Sequence, residues 1–435
     1  MPLAKMDSFL KYANFFYKAV GIEPYTKRSH PHVGSIWISL VFWANIINLG
    51  LAGLGELAYV VIAFATGEHI VEAIMVMSYI GFVLVGMSKM TFVWLEKPAL
   101  SHIVWELEEL FPGNKAAQSA YRLDNYLRSC SRISFTFSML YSVLIWTYNL
   151  FNLMQYFIYE LWLQTRIVEE TLPYRMYIPW QSTDNWTYYL LLFCENFAGY
   201  TSAAGQVSTD LLLCALATQI IMHFDYLSRR IEQQQLSGNW SEDSRFLADI
   251  VRYHERLLKL SEQLNKVFGV PLILNLLISS FVLCFVSFQM SVGVEPIMMI
   301  KHSLYLISAL SQVYLICYHG QLIADASTGI SLAAYKQNWS YADARYRRAL
   351  AFIIMRSQNP TYLKATVFLQ INRGTMTDVS VYLCCGRLFY FAYRVEYILV
   401  RMNFFLKTAS KIVNSKHKVY TCVFPLNSKS PKLGS

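Results

Sequence analysis

An all-α, polytopic membrane protein is the fold class this sequence predicts, and three observations carry the prediction. Hydrophobic residues make up 55% of the 435 and charged residues only 15%, with a mean hydropathy of +0.32. Soluble domains run nearer a quarter charged, and no single soluble core would bury so much apolar surface. Six apolar runs reach the roughly 20 residues needed to cross about 30 Å of hydrocarbon. Basic residues alternate between abundant and scarce in successive loops, as an oriented multi-span chain requires.

Residues 1–34 are polar and mixed, with no short apolar core ending in small residues, so no cleavable signal is expected and the first run serves as an anchor. The runs are 35–64, 70–95, 133–158, 186–223, 267–294 and 298–323. The fourth is too long for the membrane alone and is expected to continue as helix into Asp225, Arg229 and Arg230. Five Lys/Arg precede the first run, none follows it, five follow the second, two the third, seven the fourth, and Lys301 alone the fifth. This pattern places the N-terminus in the cytoplasm.

Between the fourth and fifth runs, residues 225–266 are themselves helical in pattern. Leu247, Ile250, Val251, Leu257, Leu258, Leu260 and Leu264 recur at helical spacing among charges, and Ser241 followed by Glu242 and Asp243 is a plausible helix start. The stripe predicts a packed cytoplasmic anchor region. The sequon at Asn185 falls in an outside loop and is a glycosylation candidate. Ionisable residues inside the runs are few (Glu56, Glu72, Lys89, Glu195, Asp210 and Asp325), and most are placed near an end, within reach of the interface.

Several functions are excluded. No His has a Ser, Cys or carboxylate partner at a catalytic spacing, so an enzyme is not expected, and the scattered cysteines match neither a disulfide framework nor a metal site. No cofactor is implied. The net charge of +9 does not point to nucleic acid, because +8 of it lies after residue 378. There is no internal repeat with paired helix breaks of the transporter kind. Receptors coupled to G proteins would need an outside N-terminus, an Asp-Arg-Tyr ending span three and an Asn-Pro-x-x-Tyr in span seven; Asn359-Pro360-Thr361-Tyr362 sets its Tyr one place early.

One ordered set of residues carries a resemblance. In the outside loop stand Leu172-Pro173-Tyr174 and Tyr177-Ile178-Pro179-Trp180. After the sixth run come Tyr335 and Trp339, Arg348-Ala349-Leu350, then Ile354-Met355-Arg356-Ser357-Gln358, Pro360, Lys364-Ala365 and Phe368. In order and spacing they resemble the insect odorant receptors, over nearly the whole chain to about residue 378, and the body looks like a fruit-fly tuning receptor. A gustatory-type channel of the same architecture is the runner-up, although its helix-seven Thr-Tyr…Gln-Phe signature is not found; a transporter or G-protein-coupled receptor stands further off.

The resemblance implies a seven-transmembrane-helix bundle with inverted topology. Spans one to four would occupy 35–224, spans five and six 267–323, and a cytoplasmic approach to helix seven 324–378. It implies a heterotetramer with a shared co-receptor around a pore lined by helix seven, forming an odorant-gated, non-selective cation channel in the plasma membrane of olfactory sensory neurons. The ligand would be a small volatile, medium-chain esters or ketones being the common class, in an apolar pocket in the outer half of helices two, three, four and six. Those outer halves supply Met75, Ser78 and Tyr79, then Tyr148, Phe151 and Asn152, then Phe193 and Phe197, and finally Tyr305 and Ser308.

From Val379 the pattern departs. Arg387, Arg394 and Arg401 interrupt the apolar stretch at seven-residue intervals, and residues 379–435 carry nine basic residues against Glu396 alone. This basic tail is read as translated intron or a mispredicted last exon in place of the pore helix, a divergent tail being the alternative.

Overall fold

An unpaired backbone polar group in lipid costs several kcal/mol, so a chain this apolar is driven to close its hydrogen bonds within helices. The computed structural model describes residues 3–28, 36–165, 172–179, 185–291, 296–365 and 369–375, and these are almost wholly helical. The tail from 379, and with it any seventh span, lies outside the described residues.

Helix α1 (Asp7–Val20) is amphipathic: Phe9, Leu10, Ala13, Phe16, Tyr17 and Val20 form its buried face. Helix α2 (Ile36–Thr66) is the opposite, apolar all round, and it exposes Trp37, Leu40, Ile47, Leu51 and Leu54 where lipid would lie. Helix α3 (Ile70–Leu95) packs between α2 and two later helices. Short helices α4 (Lys97–Leu110) and α5 (Lys115–Ala120) follow, α5 being capped by the Asn114 side chain, which accepts from the Ala117 N–H at 2.7 Å. Helix α6 (Leu123–Asn149) continues through α7 (Phe151–Gln155) into a π-helical turn at Tyr156–Trp162.

Helix α8 (Asn185–Gln233) is the axis of the molecule. At 1.5 Å per residue its 49 residues run roughly 70 Å, more than twice the hydrocarbon thickness. It packs against α1, α2, α3 and α6 and against two helices still to come, so every residue from 201 to 224 is buried. The expected continuation past the fourth run into Asp225, Arg229 and Arg230 is thus present. Helix α9 (Trp240–Ser291) and helix α10 (Pro296–Lys336) complete the bundle, and α11 (Ala344–Ser357) starts at Asp343, whose carboxylate accepts from the Arg345 N–H at 2.7 Å. A two-stranded antiparallel hairpin, β1 (Leu363–Lys364) with β2 (Gln370–Ile371), ends the described chain.

Two helices overrun the sequence-based bounds. The α6 helix begins ten residues before residue 133, because Leu123 and Cys130 bury against the core despite Asp124, Arg128 and Arg132 on the other faces. The α9 helix runs unbroken through residue 266, fusing the expected helical loop and fifth span into 52 residues. Pro271 lies within it without ending it. Among the described residues, five helices (α2, α3, α8, α9 and α10) have the length and composition to cross a membrane; α6 packs among them against α8 and α10.

The ends of the bundle differ. One gathers α1, α4, α5, α11, the hairpin and the extended ends of α8, α9 and α10, and is called the anchor end below. There Arg256 of α9 meets Glu106 (2.7 Å) and Glu109 (2.9 Å) of α4, and Tyr121 stacks on Tyr226 at 3.7 Å. The other end holds a cavity.

Candidate functional site

The cavity spans about 540 Å³ of open space, its mouth included. Its walls are Ala52 and Glu56 of α2, Tyr79, Phe82 and Val83 of α3, Leu144, Ile145 and Tyr148 of α6, Glu195, Ala198 and Gly199 of α8, and Tyr305 of α10. Tyr174 and Met176, from the segment before α8, close it. Four tyrosines meet there. The Tyr79 ring stands edge-on to Tyr148 (5.6 Å) and to Tyr174 (5.4 Å), while Tyr148 stacks on Tyr174 at 5.8 Å. Each such pair adds about 0.5–1.5 kcal/mol beyond area burial.

The closing segment is pinned by directed bonds. The Tyr174 hydroxyl donates to Asn149 Oδ1 at 2.7 Å, its N–H donates to Glu195 Oε2 at 3.2 Å, and the Tyr177 N–H donates to the Gly55 carbonyl at 2.9 Å. Arg175 pairs with Glu72 at the rim. Gly199 lets the ring come this close, because a Cβ there would stand 2.6 Å from the Tyr174 hydroxyl oxygen.

Below, sharing Phe82 and Tyr305, a smaller hollow reaches Ser308 and Gln312. Beneath it lies a charged layer: Lys89 Nζ stands 2.6 Å from Asp210 Oδ1, and Gln312 Nε2 donates to Asp210 Oδ2 at 2.5 Å. Lys89 and Asp210 are only 1% and 2% exposed. A charge here is tolerable only with such a partner, so this group ties α3, α8 and α10 together in the middle of the bundle.

The residues singled out from the sequence fall in different places. Tyr79, Tyr148 and Tyr305 line the main cavity, and Ser308 lines the hollow below. Ser78 is buried, with the Tyr305 hydroxyl 3.5 Å from its carbonyl. Phe151 is buried outside the cavity wall, its ring 5.3 Å from the Lys301 ammonium, which stands 3.8 Å over Tyr148. Met75 is half-buried away from the cavity. Phe193 and Phe197 stack on one another at 6.0 Å on the outer face of α8, 66% and 40% exposed, and line a separate groove with Tyr189 and Tyr200. The side chains of Asn152 and Asn185 lie outside the described residues; the Asn185 backbone opens α8.

The reading that ionisable residues in the runs mostly reach the interface is corrected. Glu56 and Glu195 are 2% and 1% exposed, and both face the cavity. Both were visible in the sequence as lone carboxyls in apolar surroundings, and that was the signal for them. Ala52, Met176 and Gly199 carry no sequence signal of this kind.

At the anchor end, the residues read as the approach to helix seven form a clamp. Tyr335, at the end of α10, accepts from the Trp339 indole N–H at 3.1 Å. Ser357 is buried at the last turn of α11, with Arg356 and Gln358 exposed beside it. Asn265 of α9 donates to the Tyr362 carbonyl (3.0 Å) and accepts from the Lys364 N–H (2.9 Å), while the Thr361 N–H donates to Ser327 Oγ of α10 at 2.9 Å. Pro360 and Lys364 line the groove this makes on α9. Gly320 of α10 admits the hairpin, since a Cβ there would collide with the Ile371 carbonyl. Phe368 lies outside the described residues.

Comparison with known proteins places this geometry. The family model described as 7tm Odorant receptor matches residues 69–380. Odorant receptor 85c of Drosophila melanogaster is 61% identical over 371 residues, covering 85% of this chain and 95% of that protein. Odorant receptor 85b of the same fly is 56% identical over 374 residues, covering 86% and 96%. Among solved structures, the insect olfactory receptor OR5 from Machilis hrabei superposes with a TM-score of 0.75 at 16% identity, covering 89% of this chain and 97% of that one. The same receptor in complex with eugenol gives 0.75 at 15%.

Proposed function

The chain belongs to the 7tm odorant receptor family, and from that premise we propose that it binds a small volatile odorant in the aromatic cavity and, with a co-receptor, forms a ligand-gated, non-selective cation channel. The observation that carries this reading is the cavity walled by tyrosines from α3, α6 and α10 and covered by Tyr174. A volatile ligand offers little beyond methylenes, worth about 0.8 kcal/mol each when buried, and one or two polar atoms. An apolar chamber with a few hydroxyls suits that demand. The complex of the Machilis hrabei receptor with eugenol supports a small-molecule ligand for this fold.

The loop charges support an inside N-terminus, which puts the anchor end in the cytoplasm and the cavity in the outer half of the membrane. Tyr79, Tyr148 and Tyr305 are the ligand contacts among the residues singled out from the sequence. The anchor end, with the clamp around Asn265, would hold subunits in a heterotetramer in the plasma membrane of olfactory neurons.

The test is a current evoked by volatile odorants from cells expressing this chain with and without the co-receptor, with surface labelling in parallel. Current only with the co-receptor is the expected result. Surface-labelled protein without current, rescued by exchanging residues from 379 onward for a family-like helix seven, would assign the fault to the tail and leave the receptor body in place. No current from either form at the surface would overturn the reading.

A further inference from the structure

Helix α1 has two faces, and the bundle uses only one of them. Phe9, Leu10, Ala13, Phe16, Tyr17 and Val20 are buried, whereas Lys11, Phe15 and Lys18, at i, i+4 and i+7, form an exposed strip along the opposite side. Phe15 is 65% exposed. Other charges nearby are taken: Lys27 pairs with Asp7 at 2.6 Å and Lys97 with Glu23 at 3.5 Å. Lys11 and Lys18 meet no carboxylate among the described residues. An open phenylalanine between two such ammonium groups suits neither water nor hydrocarbon alone.

The contacts of α1 set its depth. Tyr12 meets Phe135 edge-on at 6.3 Å, and Phe135 is an exposed residue at the start of the third apolar run. The Tyr17 hydroxyl donates to Thr209 Oγ1 at 3.2 Å, within the fourth run. Asn45 Nδ2, within the first run, donates to the Val20 carbonyl at 2.8 Å. Gly21, at φ +82°, then turns the chain back, where a Cβ would stand 2.9 Å from the Phe42 backbone nitrogen. The Thr26 N–H donates to Ser101 Oγ of α4 at 2.9 Å on the return. Beside the turn, Phe42 stacks on Trp94 at 6.0 Å, and Trp43 and Trp94 are both exposed. Tryptophans gather in this way where hydrocarbon meets headgroups. Helix α1 therefore rises to the membrane boundary and turns there, with its open strip facing outward.

We infer that the strip of Lys11, Phe15 and Lys18 is a binding surface for anionic phospholipid. Phe15 lies among the acyl carbons nearest the headgroups, and the two ammonium groups meet headgroup phosphate and carboxylate. Lysines at such a level keep their stems in the apolar layer and reach charge at its edge. Each lysine close to an anionic surface is worth about fivefold in association. With the anchor end in the cytoplasm, as proposed above, the leaflet met is the inner one, where anionic lipid is concentrated; only the choice of leaflet rests on that reading.

The experiment makes the photoreactive substitution Phe15→p-benzoylphenylalanine in the full chain. The protein is reconstituted in vesicles with phosphatidylcholine and phosphatidylserine in equal amounts in both leaflets, and adducts are identified by mass spectrometry. Lipid adducts are expected, with phosphatidylserine favoured about twentyfold by the two lysines together. Lys11→Gln and Lys18→Gln should each lower that ratio about fivefold, and the double variant should bring it toward one. Equal capture of the two lipids with both lysines present would overturn the assignment, whether or not the variants fold. So would adducts to protein in place of lipid, or no lipid adduct at all. No odorant, co-receptor or current enters the measurement. Selective capture by a chain that gives no evoked current would keep this surface and remove the channel reading; evoked currents with unselective capture would do the reverse.

Discussion

The two ends of this molecule are built to different standards of packing. At the anchor end, α1 and α11 lay apolar faces onto α8, α9 and α10, and three polar side chains tie separate segments or cap a helix: Arg256 with Glu106 and Glu109, Asn265 with both sides of β1, Asp343 with its own helix. At the cavity end, the same helices stand apart around a chamber where aromatic edges replace interdigitated aliphatics. Close packing transmits strain, and a chamber accommodates a guest. A receptor needs both, and the Lys89–Asp210–Gln312 layer marks the seam between them.

That contrast can be broken first at the seam. Lys89→Met leaves the Asp210 charge buried with only the Gln312 amide beside it, and should cost roughly 3–5 kcal/mol, whereas Lys89→Met with Asp210→Leu should recover most of it; thermal unfolding in detergent separates the two. Next come paired truncations. Leu257→Ala in the anchor end opens a void in a closed core and should cost about 2–5 kcal/mol, while Leu144→Ala beside the existing cavity should fall at the low end of that range. Denaturant midpoints read this difference, and equal losses would erase the contrast in packing.

Smaller effects sharpen the picture. Tyr174→Phe removes the donor to Asn149 and should cost about 1 kcal/mol, while loosening the closing segment enough to speed ligand release. Proteolytic nicking of residues 172–179 with and without odorant would register it. Lys259→Ala breaks an exposed i,i+4 pair with Glu255 and should change stability by no more than about 0.5 kcal/mol. A larger shift would mean that the groove beside β1 bears more than its surface charges indicate.

Much of the fold was legible because apolar run length is a strong signal. Helix α3 coincides with the run at 70–95, and α2 differs from its run by one or two residues. The continuity of α9 was not legible, since its first half reads as an amphipathic soluble helix, its second as a span, and Pro271 suggests a break between them. The cavity was legible only in part. Choosing outer-half aromatics found Tyr79, Tyr148 and Tyr305, but the same rule took Phe193 and Phe197, which α8 turns outward. Burial on a helix apolar all round is decided by neighbours, and periodicity along α8 carries no trace of them. Tyr174 and Met176 come from a loop, where no periodicity applies, and Glu56 belongs to a helix the resemblance left out of the pocket.

The measurement that tests the central claim most directly is the odour-evoked current of a cavity-filling variant. Ala198→Trp adds an indole to the wall of the chamber without touching the anchor end. With surface expression and co-receptor assembly matched to the unaltered chain, the expected result is loss of the evoked current with assembly preserved. An unchanged odour sensitivity in that variant would contradict the assignment of the cavity as the odorant site.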